Sequence, residues 1–308
     1  MNPGLVSIII PTLNRADYVI EAIESAKAQT YPLKEIIVVD DGSSDQTAER
    51  VARMEGIRYF YQKTARQGAA RNQGLRLAQG EYIASLDSDD LWNEDFLEKS
   101  IGCLEAFGLD FVFSDWITIR NGKPYASEWR RRRKWRPYVR HPQGEWFLLT
   151  PADVRSLFLD ICPAPSSSLV IRRKSIFSGW RQQMRIADDW YLILEMALNR
   201  PCKAAFSLTP RWRKRVDGKN IYDGRPFLET RELYLHDHPL FRQDFGAMLT
   251  RREKLKLTRR ELANRLRVLV HEAAGTPLGS RLNMPKFVTK LRRSYRPDEW
   301  LSWSSRRS

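Results

Sequence analysis

Gly80-Glu-Tyr-Ile-Ala-Ser-Leu-Asp-Ser-Asp-Asp90 is the stretch on which the reading of this chain turns. Tyr82–Leu86 is an apolar run of strand length, and it stops in four residues of which three are aspartate. Asp87 and Asp89, two apart at a strand end, face one open site if the backbone turns there. Oxygen ligands of this kind suit Mg²⁺ or Mn²⁺. A metal so held neutralises charge developing on a departing diphosphate. Turns favour Asp and Ser in any case, so the motif gains meaning only from its surroundings.

Upstream, short apolar strands alternate with helical segments. Val6–Ile10 is a strand ended by Pro11, and Asp17–Gln29 has helical spacing through Ile20 and Ile23. Glu35–Val39 stops at Asp40-Asp41-Gly42; Asp45–Met54 and Gln67–Ala78 read as helices with strand Ile57–Tyr61 between them. Downstream come a helix at Glu94–Phe107 and a strand at Asp110–Ser114. This alternation predicts right-handed βαβ units and an α/β fold with a mostly parallel sheet flanked by helices. Ligands bind such sheets outside the carboxyl ends of the strands. The polar clusters lie at those ends: Thr12–Asn14, Asp40-Asp41 and Asp87–Asp90.

The 308 residues, 42% of them hydrophobic, suffice for a substantial core, and polar tracts do not dominate. Net charge is +15 but unevenly spread. Residues 1–125 hold 13 Lys/Arg against 19 Asp/Glu, a net of −6, whereas residues 126–308 hold 39 against 18, a net of +21. An acidic front and a basic rear argue for two tasks in one chain. Cys103, Cys162 and Cys202 have no CxxC spacing and read as small buried hydrophobes in a reducing compartment. Neither a signal peptide nor an apolar run of spanning length is present, so the expected location is cytoplasmic, on or off the inner membrane face.

Four ordered motifs carry a resemblance. Val6-Ser-Ile-Ile-Ile-Pro-Thr-Leu-Asn14, Ile36-Ile-Val-Val-Asp-Asp-Gly-Ser-Ser-Asp45, Gly68-Ala-Ala-Arg-Asn-Gln-Gly74 and the opening stretch closely resemble the family 2 glycosyltransferases, which have the GT-A fold. The resemblance covers roughly residues 5 to 220. It implies transfer of a sugar, with inversion, from a nucleotide-sugar donor, UDP-linked in expectation, to a glycan or lipid-linked acceptor, with Mn²⁺ or Mg²⁺ as cofactor. On this resemblance Pro11, Thr12 and Asn14 line the nucleotide pocket. Asp40 pairs with the base, and Asp41 supports it or the ribose. Arg66, Gly68 and Arg71 lie beside the nucleotide, where Gly permits close backbone approach and Arg offers a fork of donors. Asp87 and Ser88 fall on the ribose side of the metal motif, and Asp89 is the metal ligand.

A second acidic element, Ala187-Asp188-Asp189-Trp190, opens a helix. In the family an Asp here is the catalytic base; Asp189 matches it and Asp188 replaces the usual Glu. Acids at a helix N-terminus also complement its dipole, so the pattern alone leaves both readings open. Pro163-Ala-Pro-Ser-Ser-Ser168 precedes it as an acceptor-side segment or a plain loop. Relatives often carry Arg-x-His-x-x-Asn after the sheet. Here Arg215-Val-Asp-Gly-Lys-Asn220 puts Asp217 at the His position, either as a metal ligand or as a turn residue.

The expected organisation is a catalytic domain at 1–225, with a nucleotide-binding half at 1–115 and an acceptor half at 116–225, then a helical basic region at 226–308. Arg211–Val216 reads as an edge strand. Thr258-Arg-Arg-Glu261 fits a capping box, with Leu262, Leu266, Leu269, Val270 and Ala273 on one apolar face of the helix after it. Arg130–Arg140, with seven Lys/Arg, and residues 285–303, with interleaved cations and aromatics, suggest an anionic membrane surface or the phosphate of a lipid-linked acceptor as partner, the alternative being a solvated tail packed on the catalytic domain. Nucleic acid is not expected: the positive charge avoids the α/β half and no nucleic-acid motif is present. A sugar-nucleotide-binding protein without turnover and a nucleotidyltransferase are the other readings weighed. Against them stand the acidic set at 87, 89 and 189, and the lack of a Gly-rich basic loop after the first strand.

Overall fold

The structure is a computed structural model that describes residues 1–125, 133–217 and 226–274. The chain divides into two compact units, one from Met1 to Asp217 and one beginning at Gly218.

The first unit opens with β1 (Asn2–Thr12), α1 (Ala16–Lys27), β2 (Lys34–Asp40), α2 (Thr47–Ala52) and β3 (Ile57–Tyr61). It continues through α3 (Gln67–Leu77), β4 (Gly80–Ser85), β5 (Leu91–Trp92), α4 (Phe96–Phe107) and β6 (Phe111–Arg120). Next come β7 (Lys123–Tyr125), β8 (Pro142–Gln143), β9 (Trp146–Leu149) and α5 (Pro151–Asp160). It ends with β10 (Leu169–Arg172), α6 (Asp188–Asn199) and β11 (Ala204–Val216). The strands form one sheet in the order β3-β2-β1-β4-β10-β6-β11-β9-β8, with β5 on β11 and β7 on β6.

The half that holds the sequence motifs is parallel: β3, β2, β1 and β4 run side by side in one direction. Ile8, Ile9 and Ile10 are all fully buried, as expected of a strand covered on both faces. Helix α1 buries Val19, Ala22, Ile23 and Ala26, four residues of one stripe. Helix α3 lies so close to β1 that a Cβ on Gly74 would stand 2.3 Å from Ile9 Cγ2. That glycine sets the depth at which α3, and the site residues on it, meet the sheet.

Beyond β4 the sheet departs from the simple alternation. β10 runs antiparallel between β4 and β6. The expected edge strand at Arg211–Val216 is the second half of the 13-residue β11, which pairs with β6 on one side and with β9 and β5 on the other. The register shift between Ser207 and Trp212 spans Pro210, which has no N–H to give to the ladder. All three cysteines are free; Cys103 and Cys202 are buried, and burial pushes both thiols up to about 12.

The second unit contains α7 (Phe227–Phe245) and α8 (Arg251–Ala274). Helix α8 starts seven residues before the Thr258 cap expected from the sequence. Its capping box is the earlier copy of the same tetrapeptide, Thr250-Arg-Arg-Glu253. The Glu253 N–H donates to Thr250 Oγ1 at 3.3 Å, and the Thr250 N–H donates to Glu253 Oε2 at 2.8 Å. Thr258 is mid-helix. Arg130–Arg132 and all of 285–303 lie outside the described residues, whereas Arg133–Tyr138 of the basic run forms a short 3-10 helix.

Candidate active site

The ends of β1, β2 and β4, the start of α3 and the start of α6 converge on one region of the first unit. It has two parts: the side that the sequence resemblance assigns to the nucleotide, and an acidic floor.

On the nucleotide side, the Asp41 N–H donates to the Thr12 carbonyl at 2.8 Å, joining the ends of β1 and β2. Thr12 is buried and its hydroxyl has no hydrogen-bond partner, an orphaned group at the end of the strand that leads into the site. Asn14, with φ 51°, ties the first loop to the second: its N–H donates to Ser43 Oγ and its Oδ1 accepts from the Ser44 N–H, both at 2.8 Å. Asp40 is fully buried and uses both oxygens internally, accepting from the Ser43 N–H and from the Tyr59 hydroxyl, each at 2.7 Å. In Asp41 only Oδ1 is engaged, by Gln62 Nε2 at 2.7 Å and the Ala65 N–H at 2.9 Å. Next along the chain, Arg66 has φ 76° and ψ 161°, a region essentially reserved for glycine, while its side chain is exposed.

The acidic floor is built around Arg71. This side chain is fully buried on α3. Its Nη2 donates to Asp87 Oδ1 at 2.6 Å, its Nη1 to Asp188 Oδ2 at 2.6 Å, and its Nε to Ser85 Oγ at 3.3 Å. Asp189 Oδ1 is 3.6 Å from Nη1. Burial pulls the guanidinium pKa down, but Asp189, Asp188 and Asp87 more than offset this and hold it above its ordinary value. Arg71 thus joins the end of β4 to the start of α6, whose Asp188 lies 117 positions from the arginine in sequence.

The paired acids of α6 sit in different surroundings. Asp188 is buried; Gln67 Nε2 donates to its Oδ1 at 3.2 Å, and burial leads in raising its pKa to about 6, the nearby Asp189 adding to the rise and Arg71 opposing it. Gly68 stands beside this carboxylate, its would-be Cβ at an ordinary 3.5 Å from Asp188 Oδ2. Asp189 keeps some exposure and is held by three donors: the Ser166 N–H at 3.0 Å, the Ser166 hydroxyl, and Trp180 Nε1 at 3.1 Å. Asn72 on α3 fixes Trp180 in turn, exchanging two hydrogen bonds with its backbone at 2.6 and 2.8 Å.

Of the segment before α6, Ser166 and Ser167 contact the acidic residues, whereas the Ser168 hydroxyl donates to the Pro165 carbonyl. Ser167 Oγ accepts from the Asp87 N–H at 3.1 Å and donates to Asp90 Oδ2 at 2.7 Å, so one short turn clips both acidic motifs. Asp90 is the carboxylate the sequence reading passed over. Burial above all, then Asp89 and Asp87, pushes its pKa well above the carboxylate range. Ser88 is buried beside it.

Arg15 also went unremarked in the sequence. Its Nη2 lies 3.5 Å from Asp89 Oδ2 and its Nη1 donates to Asp217 Oδ2 at 3.0 Å. A cationic group therefore already bridges the two expected metal ligands, and both supply hard oxygen donors of the kind Mn²⁺ and Mg²⁺ take. Burial, then Asp87, raises the Asp89 pKa to about 6, with Arg15 and Lys214 opposing the rise. Among the described residues no three His, Cys, Asp or Glu side chains form a ready-made cage, so a metal here needs further oxygens from a ligand. On this donor set the residues fit a divalent cation.

The profile of the family described as glycosyl transferase family 2 matches residues 7–177. The chain belongs to this family. It is similar to the putative teichuronic acid biosynthesis glycosyltransferase TuaG of Bacillus subtilis, 35% identical over 126 residues, 39% of this chain and 50% of the relative. It is also similar to WfgD of Escherichia coli, named as a UDP-Glc:alpha-D-GlcNAc-diphosphoundecaprenol beta-1,3-glucosyltransferase, 36% identical over 39% of this chain and 49% of the relative. The alignments span half or less of these relatives' length. Among solved structures, Staphylococcus aureus TarS in complex with UDP-GlcNAc aligns with TM-score 0.60 at 19% identity, over 96% of this chain and 78% of that one. The Pyrobaculum calidifontis mannosyltransferase PcManGT, in complex with GDP-Man and Mn²⁺, aligns with TM-score 0.58 at 19% identity, covering 96% and 82%. At such identity the likeness speaks to the fold, which is GT-A.

Proposed function

We propose that this glycosyltransferase moves a sugar, with inversion, from a UDP-linked donor to an acceptor hydroxyl in the synthesis of a cell-surface polysaccharide or glycolipid. The observation that carries the reading is the Arg71 bridge, which brings Asp87 at the end of β4 and Asp189 at the start of α6 into one site. Relatives named for teichuronic acid synthesis and for a UDP-glucose donor support the donor and product class.

The roles divide by what each group has free. Asp41 Oδ2 is uncommitted and accepts a base N–H, while Asp40, with both oxygens in use, holds the loop. The orphaned Thr12 hydroxyl and the exposed Arg66 guanidinium complete the nucleotide contacts. Asp87 faces the ribose. Asp89 and Asp217 would hold Mn²⁺ or Mg²⁺, which would neutralise charge on the leaving diphosphate. Asp189, oriented by Ser166 and Trp180, takes the acceptor hydroxyl proton as that oxygen bonds to C1; the C1–O bond to UDP breaks and its electron pair leaves with the diphosphate. Asp188 stays out of the chemistry and keeps Arg71 in place.

A donor screen for nucleotide release tests this. UDP-sugars, with GDP-sugars as controls, are offered with Mn²⁺, with Mg²⁺ and with EDTA, to the wild type and to Asp89→Ala. Release from a UDP-sugar that needs metal and is lost in Asp89→Ala is expected; equal release in EDTA overturns the metal role.

A further inference from the structure

Helix α8 packs with the wrong face inward for an amphipathic helix. Toward α7 it turns Leu257, Glu261 and Asn264, all buried. The two polar residues are matched by cations of α7: Arg231 Nη1 donates to Asn264 Oδ1 at 3.1 Å, and Arg242 Nη2 lies 2.9 Å from Glu261 Oε2. The leucines point the other way. Leu262, Leu266 and Leu269 are 58%, 60% and 61% exposed, with Leu255 exposed a little less. At 3.6 residues per turn these four fall within an arc of about 60°. A contiguous outward leucine stripe is not the ordinary scatter of surface apolar residues.

What borders the stripe identifies what it meets. Arg252 and Arg259 run along one margin, Lys254 and Arg265 along the other, and all four are exposed. The helix carries eight Lys/Arg against three Glu. Of those three, Glu261 is buried against α7 and Glu272 alone is exposed. We infer that α8 is a membrane-docking helix, which lays its leucine stripe into the interface of an anionic bilayer while its flanking cations reach the headgroups. A second copy of the chain would set the same arginines against one another. The 275–308 segment, with eight Lys/Arg and two acids, would do likewise. A bilayer with anionic headgroups supplies both the apolar layer and the opposite charge. This places the docking surface within the described second unit, apart from the basic segments that the sequence suggested. It extends the reading above to where a lipid-linked acceptor is met, yet it is tested without any turnover.

The test is flotation of the full chain with phosphatidylcholine vesicles, with and without phosphatidylglycerol, at low and high salt. The variants are Leu262→Gln/Leu266→Gln/Leu269→Gln and Lys254→Gln/Arg259→Gln. The wild type floats with anionic vesicles, less so in high salt, and not with phosphatidylcholine alone. The leucine variant binds at least about tenfold more weakly, with unchanged Tm because the side chains are already exposed. The charge variant loses the preference for anionic lipid. The inference is overturned if the wild type floats with neither vesicle, or if the leucine variant floats as well as the wild type. It is also overturned if sedimentation without lipid shows a dimer that the leucine variant abolishes. Donor binding measured on the same samples separates this outcome from the fate of the transferase reading.

Discussion

Arg66 and Arg71 are the same residue type, five positions apart, at the start of one helix. Arg66 sits on strained backbone with its side chain exposed, whereas Arg71 is fully buried and spends its donors on Asp87, Asp188 and Ser85. The sequence motif that contains Arg71 suggested a donor-binding fork for both. Their surroundings separate them: a guanidinium already saturated by carboxylates has little left for a phosphate, and one held in place without partners is poised to gain some. The difference shows how this site divides its labour. The acidic floor is electrostatically closed on itself, and the side proposed for the nucleotide keeps groups in reserve.

Breaking the closed side has the largest expected effect. Arg71→Met leaves Asp87, Asp188 and Asp189 without their shared cation. Removing one partner of a buried ion pair costs about 3–5 kcal/mol, which lowers Tm by about 10 °C in a unit of this size. Thermal unfolding checks this; a Tm within about 2 °C of wild type would show the carboxylates to be compensated elsewhere.

The open side responds the other way. Arg66→Ala weakens donor binding by about tenfold, the loss of one charge-assisted contact, and leaves Tm unchanged. Arg66→Gly weakens the donor equally but raises stability by about 1 kcal/mol, because glycine adopts the observed φ without strain. Calorimetric titration with the nucleotide-sugar and a melting curve read the two effects separately. A glycine variant less stable than wild type would refute the strain.

The smallest effect concerns pH. The Asp188 pKa is raised in the fold to about 6, against about 3.9 for an unperturbed Asp. A carboxyl raised on folding lends stability at low pH, and that contribution is lost as pH rises from about 4 to about 6. Asp188→Asn therefore shows a shallower decline of Tm across that window than the wild type.

How much of this was legible in the sequence follows the range of the interactions. The parallel half of the sheet is local alternation, and its strands and the polar clusters at their ends stand where the pattern puts them. Asp188 and Asp189 announced themselves as a pair, but which of them is sequestered depends on Gln67, Ser166 and Trp180, whose approach no spacing encodes. Arg15 and Asp90 were overlooked because an arginine after a loop and a third aspartate in a turn have ordinary explanations. Their importance comes from Asp217 and Ser167, 202 and 77 positions away. The Thr-Arg-Arg-Glu tetrapeptide at 250 and again at 258 is instructive in the same way. Both copies satisfy the capping pattern, but the first starts the helix, and the second falls inside it, where Glu261 pairs with Arg242 and Arg265 instead.

The central claim is that Asp189, held at the mouth of the Arg71-closed floor, is the base. Asp189→Asn, studied beside the wild type, tests it most directly, with donor affinity measured by titration and nucleotide release measured with Mn²⁺ on the same preparation. The account predicts unchanged donor affinity and a kcat lower by a factor of about 10² or more. Release as fast as wild type, or an equal loss in Asp188→Asn with Asp189→Asn unimpaired, would contradict it.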